Sequence, residues 1–161
     1  MYASTKKRDS IGYTNNDFAG SLDDMKRTSS YLFHLGSGVI SWASKKQPIV
    51  SLSSVEAKYV ATTSTTCQTM WLRRVFDGLK QKKQGSPTIY CDNTSTIALS
   101  KNNVFHQKNK HVDTRYHFIR ELVSNGEFHL KSCKSSDQLA DIFTKSLVED
   151  VFEFHRRTWV L

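Results

Sequence analysis

Apolar and polar positions alternate in the first third of the chain. Ile11–Phe18, Ser29–Leu35 (SSYLFHL) and Gly38–Ser44 (GVISWAS) are short apolar, β-prone runs bounded by polar residues, the signature of strands. The Gly36-Ser37-Gly38 link predicts a tight hairpin between the second and third runs, and Lys45-Lys46-Gln47-Pro48 breaks the pattern. From Ser53 to about Lys80 the period lengthens. Val60, Ala61, Met70, Leu72, Val75, Phe76 and Leu79 recur at helical spacing, and Ser53 with Glu56 makes a capping box. Thr62, Thr63, Thr65 and Thr66 are poor helix formers, so tertiary packing must hold the middle of this helix.

Pro87 closes a polar loop, and Thr88–Asp92 (TIYCD) reads as a short strand followed by a helical Thr94–Ser100. Val112–Ser124 is amphipathic, with Tyr116, Ile119, Leu122 and Val123 on one side, and Asn125-Gly126 stops it. Glu127–Cys133 alternates as a strand, and Ser136 or Asp137 caps Gln138–Leu147 as a last helix. The order β-β-β-α-β-α-α-β-α implies an α/β domain: one mixed sheet, three antiparallel strands and then two joined through helices, with helices on its faces. Residues 1–10 form an N-terminal extension, 11–147 the domain and 148–161 a C-terminal tail.

Composition narrows the class. With 161 residues, 38% hydrophobic, one folded core is expected, and a formal charge of +8 favours a polyanionic partner such as nucleic acid. Cys67, Cys91 and Cys133 are odd in number and form no C-x-x-C pair, which points to a reducing compartment rather than a disulfide framework or zinc knuckle. The N-terminus has no apolar signal core and no run is long enough to span a bilayer, so a cytoplasmic or nuclear, non-secreted protein with no membrane partner is expected. Neither a glycine-rich phosphate loop nor a G-x-S-x-G elbow is present, which leaves nucleotide hydrolysis and serine-type acyl transfer without support.

Asp92 ends a strand where a helix begins, a place for ligand chemistry in open α/β sheets and equally a place for a helix cap. Asp141 lies one helical turn after Asp137 and reads equally as a solvated first-turn acid. Asp17, Glu56, Asp92 and Asp141 could together hold Mg²⁺, although spacing alone does not single them out. His111 and His117 are six residues apart on a helix and face differently, so with His106 and Asp113 they make a poor zinc site. Lys108, Lys110, His111, Arg115 and Arg120, interleaved with Tyr116 and Phe118, suit phosphate contacts, or simply a solvated helix face.

Three blocks carry a resemblance. GYTNNDFAGSLDDMKRTSSYLFHLGSGVISWASKKQPIVSLSSVEAKYVATTSTTCQTMWLRRV, IYCDNTSTIALSKNNVFHQKNKHVDTRYHFIREL and DQLADIFTKSL resemble, in order, the ribonuclease H domain of copia-type LTR retrotransposon Pol polyproteins. The resemblance runs from about Ile11 to Leu147. It implies a ribonuclease H-like fold with a five-stranded mixed sheet, and cleavage of the RNA strand of RNA/DNA hybrids with Mg²⁺ or Mn²⁺ held by four acids. It also implies a reverse transcriptase domain of the same element as partner. The third and fourth acids fall on Asp92 and Asp141. The first, in a pattern like GYTDADWAG, falls on Asn15, and the second, in a pattern like SSTEAEY, falls on Lys58. Ser30 and Ser146 depart from a Gly and a Pro of the pattern. Asp17 shares a strand face with Asn15 but stands roughly 6–7 Å further on, so it could stand in only across a bulge or a rebuilt site. Glu56 is turned by about 200° from Lys58 and is a poor substitute. The expectation is a preserved fold with nuclease activity weakened or lost. The alternative is a catalytically inactive nucleic-acid-binding module or a transposon relic.

Overall fold

The computed structural model describes residues 10–17, 25–36, 38–80, 85–101 and 110–159, with the backbone alone at 110–113. Five strands and four α-helices follow in the order β1 (Ser10–Asn16), β2 (Thr28–Leu35), β3 (Gly38–Lys46), α1 (Ser54–Gly78), β4 (Thr88–Cys91), α2 (Thr94–Lys101), α3 (Lys110–Ser124), β5 (His129–Ser132) and α4 (Glu149–Arg157). The strands form one mixed sheet in the order β3-β2-β1-β4-β5, antiparallel from β3 to β1 and parallel from β1 to β5. The expected five-stranded sheet is therefore present, and β1 is its central strand.

Local chemistry explains the elements. Gly36, at φ +64°, turns β2 into β3 in a conformation that favours glycine. Gly12 leaves room for the Phe33 ring across the strand pair, because a Cβ at position 12 would stand 2.7 Å from Phe33 Cε1. Ser53 caps α1 by accepting from the Glu56 N–H at 3.0 Å, and the Glu56 carboxylate accepts from the Leu52 N–H at 2.7 Å. The capping box is present, shifted by one residue on its return arm.

Two faces of the sheet have different covers. On one, Thr65 Oγ1 of α1 donates to Thr14 Oγ1 at 2.8 Å and Gln68 Nε2 donates to Ser41 Oγ at 3.1 Å. Beneath α1 and α3 on this side lies a core cluster of Tyr59, Ile89, Cys91, Ile119, Phe128 and Leu130, all buried. Side-chain alternation and the register Asn15–Ser30–Ser44 and Tyr13–Leu32–Trp42 place those residues on the opposite face. There the segment after β5 packs back onto the sheet.

That segment departs from expectation. Gln138–Leu147, expected as an α-helix, instead contains a 3-10 turn at Leu139–Phe143, preceded by another at Ser135–Asp137. The cause is where its carbonyls point. Ala140 O accepts from Ser30 Oγ and Phe143 O accepts from Ser44 Oγ, both at 2.8 Å, so the sheet's hydroxyls take bonding capacity that a helix would turn to its own N–H groups. Residues 148–161, set apart by sequence as a tail, contain α4. Its His155 is buried, with Nε2 3.1 Å from Ser136 O.

Candidate active site

The parallel pair β1–β4 ends beside the 3-10 turn, and four elements bring their polar side chains together there. Asn15 comes from the end of β1, Asp92 follows β4, and Asp141 sits in the 3-10 turn; Lys58 reaches in from the first turns of α1. Asn15 is 4% exposed and Asp141 3%, so neither can rely on solvent for its partners.

The network is continuous. Asn15 Nδ2 donates to Asp141 Oδ1 and, at 3.1 Å, to Thr144 Oγ1. Asn15 Oδ1 accepts from Lys58 Nζ at 3.4 Å, and Lys58 Nζ also forms an ion pair with Asp92 Oδ1. On the far side Lys145 Nζ pairs with Asp141 Oδ2. Every partner is of opposite hydrogen-bonding type, and the amide orientation of Asn15 follows from that matching. The four positions Asn15, Lys58, Asp92 and Asp141 carry one net negative charge, and Lys145 brings the group to neutrality.

Burial pushes the Asp141 carboxyl above its ordinary range. The Lys145 hydrogen bond and charge oppose that, Asp92 adds to it, and Lys58 lowers it. The Cys133 thiol beside the network is pushed up to about 12, first by burial and then by the charges of Asp92, Cys91, Asp137 and Asp141. It stays a neutral thiol at neutral pH and is no nucleophile there. Gln138, fully buried, ties the turn to β1 by donating from Nε2 to Thr14 O at 3.1 Å.

This donor set does not fit a Mg²⁺ pair. Such an ion needs oxygen ligands in near-octahedral order. Here an ammonium, which can only donate, lies between Asp92 and Asn15, and the Asn15 amide nitrogen faces Asp141. Both of the set's carboxylates are already paired to lysines.

The other sequence candidates lie elsewhere. Asp17 makes none of these contacts: its Oδ1 accepts from the Thr28 N–H at 2.8 Å and its own N–H donates to Thr28 O at 3.0 Å, closing the β1–β2 connection. Glu56 belongs to the helix cap. Lys108 lies outside the described residues, and Lys110 and His111 are described only as backbone at the start of α3. Arg115 and Arg120 are both half-buried, and their separation turns them about 140° apart around α3. Arg120 Nε donates to Tyr116 O at 3.3 Å, and its side chain lines a cleft of about 540 Å³ with Lys101 and His117. Sequence reasoning missed Thr144 and Lys145. The i, i+4 spacing of Asp141 and Lys145 was the available signal.

No protein-family model matches the chain. Curated relatives do. The chain is 42% identical over 144 residues, 88% of its length, to the retrovirus-related Pol polyprotein from transposon TNT 1-94 of Nicotiana tabacum. It is 39% identical over 150 residues, 92% of its length, to the Pol polyprotein from transposon RE2 of Arabidopsis thaliana. The chain spans only 11% and 10% of those relatives. Among solved structures, LC11-RNase H1 in complex with RNA/DNA hybrid superposes with a TM-score of 0.61 at 12% identity, over 89% of this chain and 99% of that one. Prototype foamy virus protease-reverse transcriptase matches with a TM-score of 0.59 at 10% identity, over 98% of this chain and 21% of that one. The two comparisons agree: over most of its length the chain is similar to a segment of retrovirus-related Pol polyproteins, and it has the ribonuclease H fold of the solved structures it superposes on.

Proposed function

We propose that this domain binds RNA/DNA hybrid, or a closely related nucleic acid, on a ribonuclease H-like frame that no longer cleaves it by the metal-dependent route. One observation carries the reading. Lys58 stands at an acid position of the resemblance, and its ammonium pairs with Asp92 while touching Asn15. A lysine there removes a ligand and repels a divalent cation at the same time. Asn15 removes a second ligand and donates to Asp141, where a carboxylate would repel it.

Three observations support the partner. The chain's formal charge is +8, LC11-RNase H1 was solved with an RNA/DNA hybrid, and the relatives are Pol polyproteins. The foamy virus neighbour combines a protease with a reverse transcriptase, which supports a reverse transcriptase domain as the natural companion.

The test measures cleavage and binding of one labelled hybrid. In Mg²⁺ or Mn²⁺ the protein should give no turnover, while hybrid binding should weaken steeply between low and moderate salt. The double variant Asn15→Asp with Lys58→Glu should gain metal-dependent cleavage. Turnover at an ordinary rate in the unaltered protein, abolished by Asp92→Asn, would overturn the loss of activity. Absence of hybrid binding at low salt would overturn the binding role.

A further inference from the structure

On the same sheet face as the site, three aromatic rings stack in series. Trp42 of β3 lies on Phe143 with ring centres 5.2 Å apart and planes within 5° of parallel. Phe143 in turn stacks on Trp159 at 5.0 Å and 27°. The stack begins two residues after Asp141, and Ser44 Oγ, two residues from Trp42, holds the Phe143 carbonyl at 2.8 Å. The rings are thus fixed by an edge strand and by the turn that builds the site.

Its outer ring is open. Trp42 is 59% exposed although one face is covered by Phe143, an unusual condition for the largest apolar side chain. Packing within the domain orients this ring without hiding it. Cations lie close to the rings along the chain. Lys46, exposed at the end of β3, shares the Trp42 face by alternation, Lys145 is two residues beyond Phe143, and Arg156 and Arg157 end the helix that leads to Trp159. Arg156 pairs with Glu153 and Lys145 with Asp141, which offsets part of that charge. A flat ring held rigidly beside exposed lysines and arginines matches a ligand with flat bases on a phosphate backbone.

We infer that Trp42, backed by Phe143 and Trp159, is a stacking platform for an unpaired base of single-stranded nucleic acid next to the candidate site. Single strand is favoured over duplex because a base inside a duplex has no free face for the indole. Stacking of this kind tolerates any base and needs no metal. The inference deepens the nucleic-acid reading above and rests on it for the class of ligand.

Three probes test it with the full chain: a blunt RNA/DNA hybrid, the same hybrid with a single-stranded oligo-dT tail, and free oligo-dT. The tailed hybrid should bind about tenfold more tightly than the blunt one. Trp42→Ala should abolish that advantage and leave blunt-hybrid binding unchanged, while Trp42→Phe should keep most of it. Equal binding of tailed and blunt hybrids, or an advantage that survives Trp42→Ala, overturns the platform. Failure of the blunt hybrid alone, with oligo-dT binding still dependent on Trp42, overturns hybrid binding and upholds the platform. Self-association in sedimentation that Trp42→Ala removes would mark the ring as a contact between copies and overturn the inference.

Discussion

The two faces of β1 bury polar groups by different means. On the α1 side Thr14 meets Thr65, whose hydroxyl also lies 2.9 Å from Ala61 O; Thr62 and Thr69 similarly donate to Lys58 O and Thr65 O one helical turn earlier. These groups are neutral, and most of their partners lie on the same helix. On the other side Asn15, Asp92, Asp141, Thr144 and Lys145, joined by the Lys58 side chain reaching over from α1, satisfy one another across elements far apart in sequence. A local neutral arrangement loses one bond when one residue changes. A reciprocal charged arrangement leaves a buried charge without its partner, which costs several times more.

The largest expected effect follows from breaking the charged side alone. Lys58→Glu would set a third carboxylate among Asp92 and Asp141 and should cost about 3 kcal/mol of stability in chelator, read by urea denaturation. Millimolar Mg²⁺ should return part of that loss and should not shift the unaltered protein. A Mg²⁺-dependent midpoint in the unaltered protein would contradict the account of Lys58 as the resident cation. Asn15→Asp should cost less, about 2 kcal/mol, because Lys58 remains to face the new charge.

The site's pH dependence sharpens the contrast, since hydroxyls do not titrate. Asp141 holds its proton more tightly folded than unfolded, chiefly through burial. Its contribution to stability is therefore fully present below the unfolded value, near 3.8, and is lost as pH rises through the higher folded value. Denaturation midpoints of the unaltered protein should fall over that window relative to those of Asp141→Asn, which lacks this part of the pH dependence. Parallel pH profiles for the two would remove Asp141 as its source.

The same contrast governs how much could be read from sequence. The strands were legible because burial imposes alternation, and α1 because its cap and period are local, down to Ser53 and Glu56. Asn15, Lys58, Asp92 and Asp141 were legible as a group only through the family pattern, since the fold brings them together from residues 126 apart. The 3-10 turn was not legible. Its conformation depends on Ser30 and Ser44, remote hydroxyls that no local pattern in Gln138–Leu147 announces. Lys145 was visible at i, i+4, yet its importance comes from the burial of Asp141, which is a tertiary fact.

On the neutral face the effects should be small and local. Thr65→Val deletes the hydroxyl that joins α1 to Thr14 and should cost about 1 kcal/mol, without dependence on Mg²⁺ and without changing the pH slope.

The smallest effect should even change sign. Ser64 is exposed on α1, and its hydroxyl donates only to Val60 O, at 3.3 Å, within its own helix. Water can replace that bond, whereas alanine favours the helical backbone by roughly 0.5 kcal/mol over serine. Ser64→Ala should therefore raise stability by roughly that amount in urea denaturation. A loss above about 1 kcal/mol would mean that the neutral hydroxyls of α1 act together, as the charged set does, and the distinction between the two faces would collapse.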